Sequence, residues 1–193
     1  MPRKAAETGD DILDPLMAWF IVPVLAALAA TAATAAFAVR RGLFRLRSDV
    51  ELAWREFALQ LRKRQEFVTA VTALCSRLLR HEQETLERVI ESGRAVMAAV
   101  ERADIPALAS AEKAQRAAVA TLIDQAGNYP QFARSRAFGA LVGRLSTLDG
   151  RVAERRERYN AAASLLNLRC GAFPNRTIAA FSGFGRTELL VET

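Results

Sequence analysis

Histidine and cysteine are nearly missing from this chain. His81 stands alone, and Cys75 and Cys170 are the only thiols among 193 residues. Two cysteines exclude a disulfide framework, and with a single histidine they exclude a Cys/His zinc cluster. In a reducing cytoplasm both thiols read as small core residues. The pair His81-Glu82 lacks the second histidine of a zincin motif, since the position one helical turn on is Thr85. Gly183-Phe184-Gly185 follows no strand and precedes no lysine in register, so it is not a phosphate loop. With no nucleophile–base pair and no carboxylate–histidine ligand set, the chain reads as a non-enzyme that needs no cofactor.

Proline and glycine are also scarce, at six and ten residues, and strand-type alternation is absent. Residues 43–171 therefore read as almost entirely helical. Apolar positions step by three and four through Val50, Trp54, Phe57, Leu61, Val68, Val71, Cys75 and Leu78, then Leu86, Val89, Val96 and Val100. Such a stripe faces partner helices. Arg64 falls on it and reads as a snorkelling side chain. Asp104-Ile105-Pro106 gives a stop and restart, and Leu108, Ala111, Ala118, Leu122 and Gln125 continue the pattern. Gly127-Asn128-Tyr129-Pro130 breaks it. A last long helix is expected from about Gln131 to Cys170, with Phe138, Leu141, Leu145, Leu148, Val152, Tyr159, Ala163 and Leu166 inward. A bend near Arg80 to Glu82 turns the first rod into two helices, and four helices then pack up-down-up-down with long outer members.

Charge is absent from Leu16 to Val39, a run of 24 residues. As a helix it spans about 36 Å, against a hydrocarbon core of about 30 Å. Trp19 suits an interfacial belt, and Pro23 is tolerated in a span. Arg40, Arg41, Arg45 and Arg47 follow at once. Residues 1–39 sum to −2, residues 40–64 to +5 and residues 65–193 to +3. A cleavable signal peptide, with Ala36-Phe37-Ala38 as its site, and a buried core helix compete with a retained anchor. The basic flank after the run and the run's length favour the anchor. The arginines then place the N-terminus outside and the rest in the cytoplasm. They also grip anionic headgroups, and positive charge concentrated beside the membrane argues against nucleic acid as a partner. Alanines four apart (Ala26/Ala30, Ala29/Ala33, Ala32/Ala36) permit a homo-oligomer in lipid, although alanine abounds throughout.

The expected organisation is all-α: a short extracytoplasmic tail (1–15), one transmembrane helix (16–39), a cytoplasmic up-and-down antiparallel four-helix bundle (40–173) and a C-terminal aromatic segment (174–193). Arg156, Tyr159, Asn160 and Asn167 form a candidate polar cluster on the last helix. The two asparagines are seven apart, hence on one face, where they fix bundle register or line a ligand groove; register is favoured. Phe173, Phe181 and Phe184, with arginines nearby, suit a membrane contact or a lid over the bundle's open end, with nothing to choose between them.

Several short motifs occur in order. They are Leu46-Arg47 with Val50 and Ala53-Trp54; Gln60-Leu61 with Lys63-Arg64; His81-Glu82 with Glu84-Thr85-Leu86-Glu87; Tyr129-Pro130; Arg151-Val152-Ala153 with Arg156 and Tyr159-Asn160; and Phe173-Pro174, Ile178-Ala179 and Gly183-Phe184. In this order residues 43–188 resemble the bacterial LemA family of membrane-anchored helical proteins. This chain departs from the family pattern in lacking a proline at Val68 to Val71, and in carrying Leu166-Asn167 for a second Tyr-Asn pair and Ser182 for a phenylalanine. The resemblance implies an N-terminal anchor, an up-and-down four-helix bundle and no established activity. The expected function is a non-enzymatic scaffold of the bacterial inner membrane that presents its bundle to protein partners. The alternative is a ligand-sensing module with a small polar pocket at Arg156, Tyr159, Asn160 and Asn167.

Overall fold

A computed structural model describes residues 10–76, 82–172 and 185–190. Among these residues the structure is helical and has no strand. The helices are α1 (Asp10–Ser76), α2 (Gln83–Arg102), α3 (Ile105–Gly127), α4 (Pro130–Ala133) and α5 (Arg136–Gly171). The chain divides into two units, Met1–Arg45 with Cys170–Gly185, and Leu46–Arg169 with Arg186–Thr193. The division falls within α1, which continues through Pro23 and Gly42 without a break.

In the first unit, α1 is long and apolar enough to cross a membrane, and none of its most apolar window is buried. The helix leaves few polar groups unpaired along this stretch. The Thr31 hydroxyl donates to the Ala27 and Leu28 carbonyls and Thr34 to the Thr31 carbonyl. Backbone and hydroxyl groups satisfied within one helix are what a hydrocarbon environment requires.

The second unit holds a core to which all five helices contribute. Val68, Val71 and Cys75 of α1 pack with Leu86 and Val89 of α2, Val119, Leu122 and Ala126 of α3, Phe132 of α4, and Phe138 and Leu145 of α5. The stripe expected from sequence is buried or part-buried at each described position, from Val50 and Phe57 to Ala163 and Leu166, and Leu78 lies outside the described residues. Cross-contacts set the directions. Trp54 meets Tyr159, Glu56 pairs with Arg155 and Arg64 with Asp149, so α5 descends as the second half of α1 ascends. The helix joint at Arg102–Ile105 is tight. Ala103 takes a left-handed conformation (φ 51°) and donates to the Ala99 and Val100 carbonyls. Asp104 then caps α3 by accepting from Ala107 N at 3.0 Å, with Pro106 in the first turn.

Two expectations need correction. The helix expected from Gln131 is interrupted: α4 ends at Ala133, and the Ser135 hydroxyl accepts from Phe138 N at 3.2 Å to begin α5. A serine three residues before the first core aromatic is a competent helix start. Arg64 does not snorkel; it is only 4 % exposed. The bend expected near Arg80 to Glu82 lies, except for Glu82, outside the described residues.

Candidate functional site

Arg64 is buried because partners wait for it. Its guanidinium donates to the Asp149 carboxylate of α5 and to the Gln115 amide oxygen of α3. Gln115 in turn donates to Gln65, whose amide lies against Gly93 of α2 so closely that any Cβ there would collide with it. One polar layer thus joins α1, α3 and α5 and packs against Gly93 of α2. Gly93 leaves room for that approach, at a helix-propensity cost of about 0.5–1 kcal/mol. Along the core, Arg156 donates to Glu112 at 2.7 Å, with both side chains nearly sealed from water. Its guanidinium also stands 6.0 Å over the Phe57 ring.

One turn along α5 the side chains face the C-terminal segment. Asn160 donates to the Leu190 carbonyl at 2.9 Å and accepts from Leu190 N at 2.8 Å. Asn167 does the same for Thr187, at 2.8 and 2.9 Å. Between them the Tyr159 hydroxyl donates to the Glu188 carbonyl at 3.0 Å. The Tyr159 ring is held edge-on to Trp54, centroids 5.6 Å apart, and Trp54 leans on Phe57. Burial, and secondarily the charge of Glu188, pushes the Tyr159 phenol above its ordinary value, so it remains a donor at neutral pH. Leu190 is buried at 3 % exposure, while Glu188 and Leu189 are open.

This is a clamp on main chain. Each amide offers one donor and one acceptor and takes both groups of a single residue, as a neighbouring strand would. The pitch fits too. Seven residues of α5 rise about 10.5 Å, and three residues of extended chain cover about 9–10 Å.

The structure thus brings Tyr159, Asn160 and Asn167 together on residues 187–190 and directs Arg156 to Glu112. A cleft of about 260 Å³ beside Tyr159 is lined by Val50, Glu51, Trp54, Arg55, Ala103, Ile105 and Tyr159. Arg40, Arg41, Arg45 and Arg47 are all exposed on α1; Arg40 stacks 5.5 Å over Phe44 and Arg47 pairs with Glu51 at 3.2 Å. Trp19 is 77 % exposed. Phe173, Phe181 and Phe184, like His81, lie outside the described residues. Sequence reasoning missed Gln65, Glu112, Gln115, Asp149 and the segment Thr187–Leu190. A glutamine and a glutamate on the inner face of α3 were the available signals for the polar layer.

The sequence model of the LemA family matches residues 53–192, which takes in both the polar layer and the clamp. No curated protein matches the chain.

Proposed function

This chain belongs to the LemA family, and we propose that it is a non-enzymatic interaction protein of the bacterial inner membrane. The N-terminal part of α1 is its single span. The rest of α1 with α2, α3 and α5 forms an up-and-down four-helix bundle on the cytoplasmic side, offered to protein partners. The observation that carries this reading is one helix that holds an uncharged run, with its most apolar window unburied, and then four exposed arginines. Cytoplasmic-leaflet lipid attracts such arginines by about 1 kcal/mol each, which fixes orientation and seats the bundle against anionic headgroups. A binding role is further supported by the clamp: the amides that a small ligand would use already hold protein main chain.

Topology reporters fused to either end test it. The C-terminal fusion should report cytoplasm. Changing Arg40, Arg41, Arg45 and Arg47 together to Glu should scramble the orientation. A full-length chain recovered uncleaved in the soluble fraction without detergent, or an orientation indifferent to those four changes, refutes the reading.

A further inference from the structure

We infer that the last turns of α5 are a second lipid contact, in which Leu165 and Leu168 enter the interfacial layer of an anionic membrane and Arg169 and Arg186 meet its phosphates. α5 changes character at Tyr159. From Arg136 to Arg158, nine of 23 residues are charged, as on a solvated helix. From Tyr159 to Gly171, one of thirteen is, Arg169. The inward side of this stretch is used by Ala163 and Leu166 in the core and by the two asparagines on the C-terminal segment. The outward side is Ala161, Ser164, Leu165, Leu168 and Arg169, all exposed. Leu168 is 71 % exposed, more than Leu28 of the uncharged run at 60 %. A lone surface leucine is ordinary, but two a turn apart on a face stripped of charge mark a contact.

The occupant follows from where this face lies. α5 runs antiparallel to α1, with Tyr159 beside Trp54 and Arg155 on Glu56. At equal rise Leu165 stands level with Ser48, and Leu168 a turn nearer the anchor. Ser48 is nine residues beyond Val39, the last of the uncharged run, so at most about 14 Å of helix separates them. One turn less is about 9 Å, the scale of the headgroup layer. Charge agrees. Asn167 holds Thr187, so exposed Arg186 adjoins the turn that carries Leu168 and Arg169, while Glu188 is drawn off toward Tyr159. Leucines rimmed by arginine suit a contact that lies on lipid and does not span it. The inference rests on the anchored reading above and deepens it. A single span sets which side of the membrane the bundle occupies; a contact on α5 also sets which face of the bundle meets the lipid.

Spin labels on the full chain, in vesicles of phosphatidylcholine with phosphatidylglycerol, test this. Cys170→Ser removes the part-exposed thiol, and the enclosed Cys75 serves as background for subtraction. Single cysteines then replace Leu28, Leu59 or Leu168, all exposed positions that the fold does not need. Collision with oxygen reports lipid, and collision with a nickel chelate reports water. Leu28→Cys tests the anchor by itself. Leu59→Cys, among Arg55, Arg62 and Lys63 on α1, is the aqueous reference. The contact predicts an oxygen-to-nickel ratio at Leu168→Cys at least about threefold above that at Leu59→Cys, falling toward it when phosphatidylglycerol is left out. A Leu28 label in lipid with the Leu168 label at the Leu59 value overturns the contact and leaves the anchor standing, whereas a Leu28 label in water overturns both. A Leu168 label shielded from both agents shows protein over this face and refutes the inference, as does a ratio indifferent to phosphatidylglycerol.

Discussion

Glu112 and Arg156 present the sharpest energetic test of the packing. Their side chains are 9 % and 7 % exposed and meet at 2.7 Å. Replacing Glu112 by Leu leaves a guanidinium desolvated without this carboxylate. Breaking a buried pair by removing one partner costs about 3–5 kcal/mol. Arg156 keeps its other contacts, the Phe57 ring among them at about 1 kcal/mol, so the cost falls at the low end, about 3 kcal/mol or less. For a chain of this size that lowers Tm by at most about 6–12 °C. The double change Glu112→Leu with Arg156→Met removes both charges of this pair at similar volume. It should be less damaged than Glu112→Leu alone. The exposed i,i+4 pair Arg158–Glu154 is the control, and Glu154→Ala should cost no more than about 0.5 kcal/mol. Thermal melts of the full chain in detergent, followed at 222 nm, give all four values. If Glu112→Leu costs under about 1 kcal/mol, or if the double variant is as damaged as the single, the pair is not the sealed ion pair described here.

Ala103→Gly should raise stability by about 0.5–1 kcal/mol in the same melts, because glycine enters the left-handed region of φ 51° without the side-chain clash of alanine. Burial raises the pKa of both thiols, and Cys75 is fully enclosed while Cys170 is part-exposed. A thiol reagent should therefore label Cys170 first and reach Cys75 only on unfolding. Tyr159 has a folded-state pKa raised above 10.0 by burial and by Glu188. Its contribution is therefore full below pH 10 and lost as pH climbs through the raised value. The stability gap between the parent and Tyr159→Phe should stay constant from pH 7 to about 10 and shrink above it.

The helical stripes were legible because core burial leaves a periodic trace: Phe57, Leu61 and Val68 on α1 and Val152, Tyr159 and Leu166 on α5 are all inward as their spacing requires. The break at Ser135 was hidden because no glycine or proline marks it and because Phe132 before it and Phe138 after it are both inward. Arg64 was misread for another reason. Its partners Gln115 and Asp149 lie 51 and 85 residues away, and no local pattern announces a pair that only tertiary packing brings together. Asn160 and Asn167 were recognisable as a same-face pair, but their partner was not. Main-chain acceptors belong to every residue, so the segment 187–190 carries no side-chain signature of being held.

That asymmetry yields a final test of the commensurate spacing. Seven residues advance an α-helix by about two turns and return to within about 20° of the same face, whereas four residues overshoot by about 40° and rise only about 6 Å. Moving the amide from position 167 to exposed Ser164, as Asn167→Ala with Ser164→Asn, keeps composition close and breaks the match. The displaced amide meets a two-residue step, where the Glu188 carbonyl is already taken by Tyr159. Trypsin cleavage after Arg186 reads the grip on the Thr187 N–H directly. Asn167→Ala forfeits two hydrogen bonds, about 1–3 kcal/mol in all, and should speed that cleavage by roughly tenfold. The displaced variant should be cut as fast as Asn167→Ala, since what the segment feels is the distance between amides and not their number. Restored protection in the displaced variant would show that any amide on this face suffices and would end the argument from pitch.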